Sequence, residues 1–419
     1  MKSLLPRPSP QVKRIGKQYF LMEIILALSV TLNAQADEPA WHTTWDSTLY
    51  GYANHTQLRG DSLLNPGNRI ALLPQNSATA EVRLNFKAEN EKWRLTMRPI
   101  ILAENDRNAF GSQQSHEGYL SQWQLRLRAS EACSLAAGRE VMNWGPAQFR
   151  SPSSPFYFAN GRTNPMQELS GVDALKLSWT PDMNNTLTVS YLSGSGHSPQ
   201  NRWSNSWLFK ADQRSDSWVN SLVLEHTREQ ATFLGGHTQF TVNDALLWYA
   251  EASSSSLANA LQSPPDLTLP FNVASRSSRR TEALAGAAYT FQNGQTLNTE
   301  FLYYGHGFSS HQEAAYFSRA AAGLPLAEQA LGQAPQLLGR EYLHLVWQSN
   351  LMESRGYWRA MLTHSLTDIG KELSAYSEMA LGNHVTAFAL GTLPIGNSRQ
   401  EFSSLYRRSI TAGLKLALP

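Results

Sequence analysis

Long hydrophobic runs are absent from this sequence after its first 36 residues. A membrane-spanning helix needs about 20 predominantly apolar residues, so we expect no helical span in the rest of the chain. The single cysteine, Cys133, cannot form an internal disulfide and is expected to pack as a small hydrophobe. Phosphate loops, paired-cysteine metal motifs and two-histidine helix motifs are also missing. We therefore expect no cofactor, no bound metal and no enzymatic activity.

The N-terminus has the pattern of a signal peptide. Its basic residues are Lys2, Arg7, Lys13, Arg14 and Lys17. An apolar stretch follows at Ile24–Leu32, and Ala34-Gln35-Ala36 forms a small-x-small cleavage site. We predict that residues 1–36 are removed; the alternative is an N-terminal membrane anchor. Without five basic residues and one acidic residue, the formal charge falls from +2 to −2, so the basic balance does not argue for nucleic acid binding.

Apolar and polar residues alternate in many short segments of the remaining chain. In residues 81–87, Val82, Leu84 and Phe86 fall on one face of a strand, with polar residues between them. Residues 92–98, 122–128 and 409–418 repeat this pattern. Alternation with period 2 predicts β-strands that have one apolar and one polar face. It occurs in soluble sandwiches as well as in membrane barrels, so it does not decide between them.

The lengths of the connections favour a barrel. Long connections are predicted at 53–77, 103–118, 143–171, 193–204, 253–280 and 306–339. Short ones are predicted at Asn90-Glu91, Ser130-Glu131, Pro181–Asn184, Asp212–Asp216, Gln292–Gln295 and Gly382-Asn383. Long outer loops that alternate with tight periplasmic turns are typical of outer-membrane barrels. We predict one all-β domain, residues 37–419: a transmembrane antiparallel β-barrel of about 18 strands, or 16, with both termini periplasmic.

Several aromatic residues fall near predicted strand ends, among them Trp45, Trp179, Trp207 and Trp248. Amphipathic rings favour a membrane–water interface. The alanine-rich stretch 314–334 is predicted to carry a short helix within an outer loop.

The most distinctive stretch runs from Gly138-Arg139-Glu140 through Trp144-Gly145-Pro146, Ser151-Pro152 and Asn160-Gly161-Arg162 to Gly171-Val172-Asp173. This pattern resembles porin-like and export-type outer-membrane barrels, including the alginate-export-like family, over about residues 138–180. The resemblance implies that a substrate, often anionic, passes through a charged interior. The proline and glycine content prevents a regular element here. We therefore predict a loop that packs on the inner wall and constricts the pore.

Three sets of candidate residues follow. The constriction loop contributes Trp144, Phe149, Phe156 and Tyr157. Predicted pore-lining or substrate-binding residues are Arg83, Lys92, Arg94, Arg98, Arg126, Arg128, Arg139, Arg150 and Arg162. The predicted opposite acidic wall consists of Glu300, Glu372 and Glu378. Walls of opposite charge are a means by which pores select ions, and guanidinium groups bind carboxylate or phosphate well. The alternative is that these charges pair with one another.

The sequence thus predicts an outer-membrane channel for small hydrophilic solutes, anionic or saccharide-type, working by diffusion or export. The alternative is a non-conducting, plugged barrel that acts as a surface receptor, adhesin or assembly partner. Expected partners are outer-membrane lipid and lipopolysaccharide, small hydrophilic solutes and the barrel-assembly machinery, and no nucleic acid.

Overall fold

The computed structural model describes residues 40–159, 161–164, 166, 168–194, 196, 205–227, 232–350 and 355–418. The predicted signal peptide, residues 1–36, lies outside the described residues. No helix in the described ranges is long and apolar enough to cross a membrane.

Eighteen strands form one closed antiparallel sheet, which confirms the predicted β-barrel and its strand number. These strands are β1 His42–Leu58, β2 Asn76–Glu89, β3 Trp93–Asn108, β4 Gly111–Arg128, β5 Cys133–Glu140, β6 Val172–Trp179, β7 Asn185–Gly194, β8 Ser206–Arg214, β9 Trp218–Thr227, β10 Phe233–Thr241, β11 Leu246–Ser255, β14 Arg280–Thr290, β15 Thr296–Tyr304, β16 Glu341–Gln348, β17 Gly356–Ser365, β18 Lys371–Ala380, β19 Val385–Ile395 and β20 Tyr406–Leu418. Strand β1 pairs with both β2 and β20, which closes the barrel.

Side chains alternate between the two faces of this wall because successive strand residues point to opposite sides. The outer face carries large exposed apolar residues such as Leu175, which is 58% exposed, and Ile101, which is also 58% exposed. Polar and aromatic residues such as Tyr50, Glu81 and Arg83 share the inner face, where register places Tyr50 opposite Glu81. The predicted alternation in 81–87, 92–98, 122–128 and 409–418 therefore describes real strands.

Successive connections alternate between two rims of the barrel. The rim that carries the long connections is called the long-loop rim, and the opposite one the short-turn rim. One predicted long connection, 103–118, is wrong. Strands β3 and β4 continue through this region and meet at Ala109-Phe110, so only two residues connect them. The polar side chains there form a protruding hairpin whose residues 111–116 are all exposed. Polarity on both faces gave this segment the composition of a loop.

Two long connections contain their own secondary structure. Connection 256–279 holds a small antiparallel hairpin, β12 Ala258–Gln262 with β13 Asn272–Arg276. Connection 305–340 holds two helices, α1 Ser310–Ala320 and α2 Leu324–Gln333. A helix was predicted within this stretch. The side chain of Gln312 accepts from the backbone N–H of Ser309, the residue before the first turn of α1.

The long loops pack together into an outer cap at the long-loop rim. We define the cap as the apolar cluster formed by connections 59–75, 256–279, 305–340 and 396–405. Its buried members include Leu64, Leu73, Leu261, Phe271, Tyr316, Phe317, Leu331, Leu338 and Leu405. Burial of each such side chain stabilises by about 1.5–3 kcal/mol. The cap is therefore a folded layer on the barrel rather than a set of separate loops.

Candidate functional site

The connection from β5 to β6, residues 141–171, folds into the interior of the barrel; we call it the inner loop. Phe149 and Phe158 of this loop pack with Tyr249, Leu302 and Tyr304 of the wall. Its two ends form a second apolar cluster with strands β6 to β10 through Met142, Tyr157, Leu192, Leu208 and Val223. Apolar residues on the inner face thus mark where the loop covers the wall.

Two buried glutamates of the wall bind the backbone of the inner loop. Glu251 of β11 accepts hydrogen bonds from the N–H of Ala147 at 2.8 Å, from the N–H of Ser153 at 3.1 Å and from the hydroxyls of Ser151 and Ser153 at 2.6 and 2.8 Å. Glu300 of β15 accepts from the N–H groups of Gln148 at 2.6 Å and Phe149 at 2.9 Å. Hydrogen bonds to charged groups contribute about 1.5–3 kcal/mol each.

A glycine and an arginine fit the loop to these glutamates. Gly145 has φ +93, and a Cβ built there would lie 2.6 Å from Oε1 of Glu251. Arg162 donates to the carbonyl oxygens of Pro146 at 2.6 Å, Ala147 at 2.7 Å and Gly145 at 3.1 Å. The predicted pore-lining Arg162 therefore also holds the loop in shape.

The four predicted loop aromatics all pack inside the barrel. Phe149 stacks on His344 with ring centroids 4.9 Å apart, and Trp144 makes an edge contact with Phe156 at 5.8 Å. The indole N–H of Trp144 donates to the carbonyl of Ser153 at 3.0 Å. Tyr157 donates to a backbone carbonyl near the end of the loop. These rings anchor the loop to itself and to the wall.

Two of the predicted basic residues form a paired charge network in the interior. Arg83 bonds Glu81 at 2.7 Å and Glu168 of the inner loop at 3.2 Å, and it lies 4.3 Å from the ring centre of Tyr50. Arg98 also contacts Glu168, at 3.2 Å. Two arginines of the wall thus meet two carboxylates, so this part of the predicted basic wall carries little net charge.

The remaining predicted basic residues of this region lie toward the short-turn rim. Arg94 of β3 pairs with Glu89 at 2.8 Å. Arg126 of β4 stands opposite Arg94 in the register, and its buried Nε finds no hydrogen-bond partner among the described residues. Lys92 lies in the turn before β3, and Arg128 ends β4 beside it.

Arg139 is not on the interior face, so its predicted role as a pore-lining residue is wrong. The register places it opposite Trp123, which in turn stands opposite Met97 on the outer face. There it forms a two-pronged ion pair with Asp173, at 2.7 and 3.0 Å, and donates to the carbonyl of Leu120 at 2.9 Å. Its neighbour in sequence, Glu140, points inward and pairs with Lys176.

The three glutamates of the predicted acidic wall have different hydrogen-bond partners. Glu300 is 1% exposed and bonded to the inner loop, so it does not stand free in the interior. Glu372 accepts from the hydroxyl of Tyr406 at 2.9 Å, and Glu378 accepts from that of Tyr376 at 2.9 Å. Arg150 of the inner loop lies over the Phe149 ring at 4.8 Å.

Beside the inner loop lies a polar cavity of about 340 Å³, which we call the eyelet cavity. Its charged lining residues are Arg162, Arg359, Lys415 and Glu378, and its tyrosines are Tyr50, Tyr357 and Tyr376. Arg359 donates to the side chain of Gln148 at 3.0 Å. The cations outnumber the carboxylate three to one. Of this set, sequence reasoning found only Arg162 and Glu378; Arg359 and Lys415 are single charges in otherwise ordinary strands.

Where the outer cap meets the wall, three acidic residues from three connections come together. Glu401 accepts from the N–H of Leu338 at 2.9 Å and from the hydroxyl of Tyr342 at 2.5 Å, and its own N–H donates to Asp368 at 2.6 Å. Burial raises the pKa of Glu401. Burial, with the nearby charges of Asp368 and Glu401, raises the pKa of Glu313 on α1 to about 10. Glu313 is therefore protonated at neutral pH.

Comparison with known proteins supports the fold. No protein-family model matches the sequence, and no curated protein matches it. The crystal structure of Pseudomonas aeruginosa OccK11 (OpdR) is similar, with a TM-score of 0.54 and 10% identity over 90% of this chain and 96% of that one. The crystal structure of P. aeruginosa OccK5 (OpdH) has a TM-score of 0.53 and 7% identity over 90% of this chain and 98% of that one. At such low identity the likeness concerns architecture: the chain shares its β-barrel fold with OccK11 and OccK5.

Proposed function

We propose that this protein is a channel of the Gram-negative outer membrane that passes small hydrophilic solutes, with a preference for anions, through a pore narrowed by the inner loop. The observation that carries this proposal is the eyelet cavity, where a loop fixed inside the barrel faces a polar wall. Both termini would then lie in the periplasm. The specific resemblance to alginate-export-like barrels stays a prediction.

A membrane location is supported by the outer surface. Six exposed tryptophans point outward near strand ends at the short-turn rim: Trp45, Trp93, Trp179, Trp218, Trp248 and Trp347. Above them the outer face is apolar, with residues such as Leu175 exposed. An apolar band bordered by aromatic rings is typical of transmembrane barrels.

The anion preference rests on the eyelet cations, of which Arg162 belongs to the predicted basic wall and Arg359 and Lys415 do not. Arg83 and Arg98 are balanced by Glu81 and Glu168, so they add little field. At the eyelet cavity, Arg162, Arg359 and Lys415 face one carboxylate, Glu378. Charged rings and walls at the narrowest point set ion selectivity in pores.

Planar-bilayer recording of the refolded chain under a salt gradient tests this proposal. We expect open channels whose reversal potential shows anion preference. Lys415→Gln should move the reversal potential toward cation preference, and Arg359→Gln should move it in the same direction. Arg107→Gln removes the same charge from an exposed position on the outer face of β3 and should change nothing. Identical reversal potentials in Lys415→Gln and the unmodified chain would refute the role of the eyelet cations.

A second function, a plugged barrel that binds partners at the surface, is favoured by the outer cap. Four connections contribute to one apolar cluster there, which is more order than an open mouth requires. The same recordings separate the two functions. A folded barrel that never conducts would support surface binding.

A further inference from the structure

A second cavity, of about 580 Å³, lies within the loops of the long-loop rim and is separate from the eyelet cavity. We call it the mouth cavity. Its walls come from the β12–β13 connection 256–279 and from the connection 305–340 that carries α1 and α2. Binding sites for small molecules commonly measure about 300–1,000 Å³. The mouth cavity is therefore large enough for a solute the size of a sugar acid.

The charges on its lining are of one sign. Its two charged lining residues are Arg280 and Arg340, and no Asp or Glu is among its lining residues in the described part of the chain. Glu282, which is not a lining residue, contacts the lining residue His306, with 3.7 Å between Oε1 of Glu282 and Nε2 of His306. An anionic group entering the cavity would meet guanidinium donors without a competing carboxylate on the surface.

The guanidinium groups of the two arginines differ in their hydrogen bonding and exposure. Arg340 is fixed, because its Nε donates to the carbonyl of Gly307 at 3.0 Å and its Nη2 to Oε1 of Gln312 at 3.2 Å. Arg280 is exposed, and no described residue forms an ion pair or hydrogen bond with its guanidinium. One guanidinium is thus part of the wall, and the other can close on a ligand.

Amides make up much of the remaining polar lining. Gln262, Gln312, Gln333 and Gln336 line the cavity, together with Ser277 and Ser278. Amide and hydroxyl groups can both donate and accept, which suits a ligand that carries several hydroxyls. The lining is built from loop residues rather than from the outward-facing wall, so a dissolved solute and not a membrane lipid is the occupant that fits.

We propose that the mouth cavity binds a small polyhydroxylated anion, with Arg280 and Arg340 on its carboxylate or phosphate group and the glutamine amides on its hydroxyls. This site is distinct from the eyelet cavity and would collect solute at the long-loop rim. It does not depend on conduction, so it would serve a surface-binding barrel equally well.

Isothermal titration of the refolded full chain in a neutral detergent tests the proposal, with gluconate as the anionic probe and glucose as its neutral match. We expect gluconate to bind more tightly than glucose. Loss of one charge-assisted hydrogen bond corresponds to about tenfold in affinity, so Arg280→Gln should weaken gluconate binding by about tenfold. The matched control Arg107→Gln should leave it unchanged.

A second pair of variants guards against an indirect effect. Ser278 is an exposed lining residue, so Ser278→Glu places a carboxylate in the cavity without disturbing the core, and Ser278→Gln adds the same bulk without charge. Gluconate binding should be lost in the first and retained in the second. Equal affinity for gluconate and glucose, or gluconate binding unaffected by Arg280→Gln and Ser278→Glu, would overturn the proposal. Channels that conduct without binding gluconate would refute this site and leave the proposed channel standing.

Discussion

Removing the carboxylate of Glu251 should free the inner loop from the wall. This side chain receives four hydrogen bonds from the loop, two from backbone N–H groups and two from hydroxyls. At about 1.5–3 kcal/mol for each bond to a charged group, and allowing for non-additivity, the anchoring lost in Glu251→Ala is on the order of 5 kcal/mol. Since about 1.4 kcal/mol changes a population tenfold, this loss raises the population of the detached loop by about three orders of magnitude.

The expected result is a higher mean single-channel conductance with more current noise, because the loop would move in and out of the pore. Glu251→Gln keeps one acceptor oxygen and should give an intermediate result. The barrel wall should be unaffected, since β11 pairs with β10 and β14 through its backbone. Heat-modifiable migration in gels checks this. Glu341→Ala, at an exposed position on the outer face of β16, is the matched control.

Conductance and noise in Glu251→Ala that equal those of the unmodified channel would refute this reasoning. In that case Glu300 and the apolar contacts of Phe149 and Phe158 would be sufficient to hold the loop. Adding Phe149→Ala to Glu251→Ala would then test that explanation directly.

Two further predictions concern the cap and the wall. The pKa of Glu313 is about 10 in the folded cap and has its ordinary value of 4.5 when the cap opens. Between these two pH values the folded cap binds one proton more than the open cap. The stability of the cap therefore falls as the pH rises from 4.5 to 10. At pH 7, keeping Glu313 protonated costs the folded cap about 3 kcal/mol of stability. Glu313→Gln should therefore slow trypsin cleavage at the buried Arg319 and remove most of the acceleration expected between pH 6 and 9. Equal pH dependence of cleavage in both proteins would contradict this. Gly138 has φ +147, and a Cβ there would overlap the carbonyl of Trp123, so Gly138→Ala should lower the melting temperature of the barrel. Gly51→Ala is the control, because a Cβ at Gly51 meets open space and should leave the melting temperature unchanged. Equal melting temperatures of the two variants would contradict this.

The fold could be predicted from the sequence because the same two-residue pattern recurs in most of the eighteen strands, so a local error in one strand does not change the fold class. The hairpin at 103–118 could not be predicted from this pattern, because it protrudes with polar residues on both faces and therefore has no apolar face. Composition cannot separate such a hairpin from a loop. One short helix could be expected from the alanine content of residues 314–334, but the division into α1 and α2 and their packing into the cap depend on contacts with distant loops.

The site was predictable only where local pattern decides geometry. The inner loop could be recognised from its aromatic, proline and glycine residues. Charge alone does not place Arg139; its spacing of two residues from Ala137 and of four from Leu135 along β5 puts it on the outer face with them. The pairing of Arg83 with Glu81 was readable, because residues two apart share a face. Its second partner, Glu168, lies in an irregular loop, and no sequence pattern indicates that contact.

The two glutamates that hold the inner loop also impose an order on assembly. Glu251 accepts a hydrogen bond from the N–H of Ala147, which lies 104 residues earlier in the chain. Glu300 accepts one from the N–H of Gln148, which lies 152 residues earlier. Contacts so distant in sequence form only after the intervening chain has been placed, and their formation is slow. The loop can settle only when strands β11 and β15 are already in the wall. We therefore expect the inner loop to reach its final position, and the interior its final width, late in assembly, after the two strands that bind the loop.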